Sequence, residues 1–204
     1  MSPTPTPTPT PTPLSAPTGT DLCALLADSF HDDALARWMI PDERRRAELL
    51  PGFFQVFLGL SASYGSVLTT PDEDAVLLFL PPGAEPDEAA LDAAFAEVLG
   101  DDPHALEALR AIGRLQAERH PQDAPHYYIS FAAVRTGRQK GGLISELVGR
   151  LLVRADAEGV GVYTEASSPG GEAASRRAGF ERLGGDINLP EGGPVLRPMW
   201  RSPR

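Results

Sequence analysis

Residues 135–150 read RTGRQKGGLISELVGR, a basic, glycine-rich half followed by an apolar half. Leu143, Ile144, Leu147, Val148, Leu151, Leu152 and Ala155 recur at the i, i+3, i+4, i+7 spacing of a helix lying on a sheet. Gly141 and Gly142 therefore fall at a strand-to-helix turn, where uncapped backbone N–H groups and the helix dipole converge. Small residues let an anion approach such N–H groups closely, which is the chemistry of a phosphate grip. Charge favours it: residues 135–154 carry Arg135, Arg138, Lys140, Arg150 and Arg154 against Glu146, five bases less one acid, or +4 in a chain of -10. The turn is neither a Walker loop, lacking Gly-Lys-Ser/Thr, nor a dinucleotide fingerprint, lacking Gly-x-Gly-x-x-Gly. An ordinary glycine turn with solvated arginines has the same composition.

Other reactive residues give weaker patterns. His31, Asp32 and Asp33 are adjacent, a spacing that converges poorly on one metal ion, so a surface helix cap is the simpler reading. His104, His120 and His126 lack ligand spacing, and Cys23 reads as a core thiol. No Gly-x-Ser-x-Gly elbow is present, so a serine hydrolase has little support.

The elements that must position the turn follow from periodicity. At 204 residues, 42% hydrophobic and 23% charged, the chain suits one domain with a full core. The charge of -10 argues against a nucleic-acid partner, and no apolar run approaches a membrane span. A single cysteine and the lack of a signal-like N-terminus lead us to expect a cytoplasmic protein. Residues 1–20, with the run SPTPTPTPTPTP, read as a disordered Pro/Thr-rich tail, and 21–204 as one domain.

Within that domain, a helix capped at Thr20 or Asp21 is expected first. A second begins near Pro41, with Pro51 bending or restarting it. SVLTT and AVLLFL read as a hairpin, and helices follow at about 87–99 and 102–119. HYYISFAAV and GVGVYTEAS read as strands on either side of the Gly-turn helix, GGEAASRRAGF as a short helix, and the C-terminus as antiparallel strands. The expected class is α/β or α+β with a mixed sheet. The stretch 72–107 holds eleven acids and no Lys or Arg, read as solvated helix faces, with attraction of a cationic amine as the alternative.

At this point the sequence resembles the GCN5-related N-acetyltransferase (GNAT) superfamily. The carriers are YYISFAAV, the loop Gln139-Lys-Gly-Gly142-Leu-Ile144, then VYTEASSP, AGF and the terminal LRPMWR. Within it, 126–201 and, more loosely, FHDDALARWMIPDERRR look most like the actinobacterial branch that includes puromycin acetyltransferase. The resemblance implies a mixed, mostly antiparallel central sheet flanked by helices, with strands splayed where acyl-CoA binds. It implies acetyl-CoA as acyl donor, held by Ala133, Val134, Arg138, Gln139, Lys140, Gly141, Gly142, Leu143 and Ser145, and no metal. It also implies a small-molecule amine as acceptor, attacking the thioester directly, with an N–H of the FAAV strand at the oxyanion.

Glu165 is the candidate general base, an ordinary ion-paired strand carboxylate being the other reading. The final strands leave a homodimer open. Three departures stand out. Ile144 occupies the family's last loop Gly/Ala, and Gly171 replaces its Asn. Ser175 replaces the Tyr that protonates the leaving thiolate, and so reads as a poorer proton relay or a plain surface residue. The implied enzyme is slowed, and a catalytically silent acyl-CoA-binding module is the alternative.

Overall fold

The structure, a computed structural model, describes residues 19–204. The expected tail lies outside them except for Gly19 and Thr20, which open the first helix. The elements run α1 (Gly19–Phe30), α2 (Ala34–Met39), α3 (Glu43–Ser63), β1 (Val67–Thr69), β2 (Ala75–Leu80), α4 (Glu88–Leu99) and α5 (Pro103–Ala117). They continue β3 (His126–Val134), α6 (Leu143–Glu158), β4 (Gly161–Ala166), α7 (Pro169–Arg177), β5 (Glu181–Arg182), β6 (Ile187–Asn188) and β7 (Val195–Arg201).

Local chemistry sets the helix starts. Asp33, Asp42, Asp87, Asp102 and Ser168 each accept a backbone N–H from the first turn of the helix they precede. Pro103 and Pro169 sit in first turns, where no intrahelical donor is lost. Two boundaries differ from expectation. Helix α1 starts at Gly19, so Thr20 and Asp21 lie inside it. Helix α3 runs as one 21-residue element with Pro51 inside, so Pro51 does not restart it. Leu49, Leu50, Phe53 and Phe54 are buried on both sides of that proline. Several side chains at about 1.5–3 kcal/mol each outweigh the roughly 3 kcal/mol of an interior proline.

The seven strands form one sheet in the order β1-β2-β3-β4-β7-β5, with β6 on β7. Only β3–β4 is parallel. The expected mixed, mostly antiparallel sheet flanked by helices is therefore the one found. Strand β7 is paired on both edges, to β4 and to β5 and β6. Val76, Leu78 and Ala133 face a core built with α1–α5, whereas Leu77, Phe79, Tyr127 and Ile129 face α6 through Leu147, Leu151 and Ala155. Buried Arg46 on α3 donates to the carbonyls of His31, Ile40 and Pro41, fixing the chain on either side of α2 against the first core. Among the described residues no helix is long and apolar enough to cross a membrane.

Candidate active site

Strands β3 and β4 pair only from His126–Gly161 to Ile129–Thr164, where Thr164 Oγ1 also donates to the Ile129 carbonyl at 3.0 Å. Beyond that rung β3 runs from Ser130 to Val134 beside β2, and Glu165 and Ala166 of β4 keep only their pairing with β7. The two strands thus open into a V, as the resemblance implied.

A bulge lies at the apex. Leu78 pairs with Phe131 but Phe79 with Ile129, leaving Ser130 as the extra residue, its Oγ bonded to the Leu78 carbonyl at 3.1 Å. A bulge switches the faces of all residues beyond it. Hence Phe131 and Ala133 join the core of α1–α5, and Ala132 and Val134 join the α6 side.

A cavity of about 620 Å³ occupies the V. One arm runs beneath α6 and α7, between Ser130 and Ala132 on one side and Ser168, Gly171 and Ser175 on the other. The second runs under the N-terminal helices, among Phe30, Met39, Phe53 and Phe57. Glu165 lines the apex, one residue past the last β3–β4 rung. Its Oε2 accepts from Gln116 Nε2 of α5 at 3.4 Å, while Oε1 is buried without a partner, as is Tyr163 Oη. Burial raises the carboxyl pKa to about 7, against a smaller opposing pull from Tyr163, Tyr128 and Gln116. Burial and the neighbouring Glu165 push the Tyr128 and Tyr163 phenols up, so both stay protonated.

Behind the tyrosines, the His126 and His120 Nε2 atoms meet at 3.0 Å, and the His120 ring packs edge-on against Tyr128 and Tyr163. Burial, then His126, lowers the His120 pKa. No group of three metal-ligating side chains occurs among the described residues, and Asp33 caps α2.

The glycine corner is compact. A 3-10 turn at Gln139–Gly141 leads to Gly142, which starts α6 at φ 70°, ψ 10° with no side-chain cap. The Gln139 carboxamide accepts from the Gly137 N–H at 2.8 Å. A Cβ placed at Gly142 would meet nothing within 4 Å, so the corner is open. Its main chain, more than its side chains, is available. Arg135 and Arg138 are committed to Asp74 at 3.0 and 2.9 Å, and Arg154 pairs with Glu158 at 3.0 Å. The Lys140 side chain lies outside the described residues.

Of the residues singled out in the sequence, Glu165, Ser175 and Ser145 line the cavity together. Gly141 and Gly142 form the corner just ahead of Ile144 and Ser145 and do not line the cavity, and Leu143 packs on the α6-side core. Ala133 is buried and paired with Val76, so Ala132 is the alanine that reaches the cavity, displaced by the bulge. Val134 presents a carbonyl that accepts from Ser29 Oγ at 3.0 Å. Ile144, standing where the resemblance expects Gly or Ala, lines the cavity and packs against the α6-side core. Gln116 and Tyr128 were not picked out. Tyr128 was findable, being in phase with the strand ahead of the bulge, whereas Gln116 reaches Glu165 across 49 positions and leaves no local trace.

No protein-family model and no curated protein matches the chain. Solved structures do match its fold. An acetyltransferase from Corynebacterium glutamicum, described as histone acetyltransferase HPA2 and related acetyltransferase, gives a TM-score of 0.64 at 21% identity, covering 95% of both chains. Arylalkylamine N-acetyltransferase 2 from Aedes aegypti gives 0.57 at 15% identity, covering 94% of this chain and 97% of its own. An agmatine N-acetyltransferase, in a mutant apo form, gives 0.57 at 13% identity over 90% and 94%. The fold is that of the GNAT acetyltransferases.

Proposed function

We propose that this protein is an N-acetyltransferase that takes acetyl-CoA as donor and transfers the acetyl group to a small-molecule amine. The observation that carries the reading is Glu165: a buried carboxyl whose pKa is raised to about 7, with one oxygen lacking a partner, at the apex where two strands part. A base poised near neutral pH is what proton abstraction from an amine needs. The similar structures, amine acetyltransferases by description, agree at the level of fold.

The donor fits the residues present. Main-chain N–H groups over 139–145 would hold its diphosphate at the uncapped start of α6, helped by the helix dipole. The unpaired edge of β3 at Ala132 and Val134 would hold the pantetheine arm. When bound, acetyl-CoA supplies an activated acyl carbon and a thiol leaving group. Glu165 then accepts a proton from the acceptor nitrogen. An alkylamine has a pKa near ~10.4 in water, and the apolar second arm lowers it by disfavouring the ammonium form. Ser175 lines the donor arm at the position where the resemblance expects a tyrosine, so its hydroxyl is the only group α7 offers there for the departing thiolate.

The second reading, an acyl-CoA-binding module without turnover, draws on Ser175 and Gly171. Glu165 speaks against it, because a merely structural strand carboxylate gains nothing from a buried, unpartnered oxygen. Thiol release from acetyl-CoA across a panel of amines separates the two. Turnover that Glu165→Gln removes supports the transferase, while donor binding with no turnover for any amine supports the module.

A further inference from the structure

We infer that the acceptor is a monoamine carried on a bulky apolar, aromatic-type body, preferred over diamines and polyamines. This rests on the transferase reading for the acetyl step but not for the recognition itself.

The second arm of the cavity is walled by Phe30 of α1, Met39 of α2, Phe53 and Phe57 of α3, and Phe131 of β3. These rings already form a cluster, with Phe57 and Phe131 centroids 4.8 Å apart and Phe30 and Phe131 5.5 Å apart. Phe30, Phe57 and Phe131 are only partly buried, so each retains apolar surface next to the cavity. An apolar body in this arm covers that surface, at roughly 25 cal/mol per Å² removed from water. The bulge at Ser130 makes the arm possible, because without the extra residue Phe131 would turn to the α6 side.

Few polar groups face this arm. Among the described residues, two acids line the cavity, Asp33 and Glu165, and no Lys or Arg does. Asp33 is held at the α2 cap by neutral donors, Oδ1 accepting from the Leu35 N–H at 2.8 Å and Oδ2 from Ser167 Oγ at 3.2 Å, which fixes the carboxylate in place without cancelling its charge. Glu165 lies at the apex with one buried oxygen that has no partner. An amine placed beside Glu165 leaves the rest of the acceptor among rings. Contact with aromatic faces returns about 0.5–2 kcal/mol to a cation, less than the several kcal/mol that its dehydration costs. The site should discriminate through its walls as well as its floor.

The test compares tryptamine and 3-phenylpropylamine with agmatine and spermidine. Titration calorimetry of the CoA-loaded protein is run beside kcat/KM with acetyl-CoA. The two arylalkyl amines should bind, and react, on the order of tenfold or more better than the polyamines. Phe57→Asp, which sets a carboxylate in the aromatic wall, should reverse the order. If that variant does not fold, Phe57→Leu should keep the ranking but narrow the gap. Aryl amines that bind without reacting would uphold this recognition while removing the transferase reading. Equal or better handling of spermidine or agmatine by the intact protein, or no binding of either aryl amine, would overturn it.

Discussion

The two arms of the cavity are built on opposite principles. The proposed donor side rests on main chain: a glycine corner, an uncapped helix start and an unpaired strand edge, with Arg135, Arg138 and Arg154 tied to Asp74 and Glu158. The second arm rests on side chains, five of them aromatic or thioether, around one carboxylate. Main-chain amides recognise a diphosphate wherever a helix begins, whatever the neighbouring residues. Side-chain walls can be redrawn one residue at a time. In the proposed transferase, donor and acceptor are therefore recognised by different parts of the chain.

Breaking the floor between the arms should have the largest effect. Glu165→Gln is expected to lower kcat/KM by about 10²–10⁴, the range of general acid–base catalysis, with donor affinity retained. The wild type should show an acid limb near pH 7, since Glu165 is a base only when ionised and its pKa is raised to about 7. The variant should lose that limb. Stability moves the other way. The folded carboxyl holds its proton more tightly than the unfolded one, so its contribution is greatest at low pH and falls as pH rises through about 7. Above that pH, Glu165→Gln should therefore melt higher than the wild type, which differential scanning calorimetry reads directly.

A smaller effect is expected on α7. Ser175→Tyr should raise kcat by about tenfold if a phenol there can reach the leaving sulfur, the low end of what a general acid contributes. An unchanged rate in stopped-flow thiol release would show that loss of the thiolate is not limiting. The smallest effect sharpens the contrast of main chain with side chain. Arg138→Ala should weaken CoA binding by less than about fivefold, since an exposed guanidinium already paired with Asp74 is worth ~1 kcal/mol or less. A hundredfold loss would mean that side chains grip the diphosphate after all.

Legibility in the sequence followed the same division. The donor side is local: strand, glycine corner and helix are contiguous over 126–158, so period and composition mark them in order. The hairpin of β1 and β2 and the helices α4 and α5 were readable for that reason too. What escaped is non-local. The bulge at Ser130 is defined by pairing with β2, some fifty positions away, and it moved the cavity-lining residue from Ala133 to Ala132. Asp74, read with its block as solvated, sits in the β1–β2 turn and holds Arg135 and Arg138 just past the end of β3. Gln116 acts on Glu165 from another layer. Pro51 does not restart the helix, one of its two expected effects, because a local penalty is outweighed by packing visible only once α3 meets the sheet.

The central claim is that amides at the 139–145 corner hold the donor, and titration calorimetry with CoA tests it most directly. Gly142→Glu is the informative variant. Its Cβ has open space, so the fold should survive the cost of roughly 1–2 kcal/mol for a side chain at φ 70°, while its carboxylate repels a diphosphate. The account predicts binding by the wild type and none by the variant, with circular dichroism unchanged. Failure of the wild type to bind CoA, or equal affinity in both proteins, would contradict it.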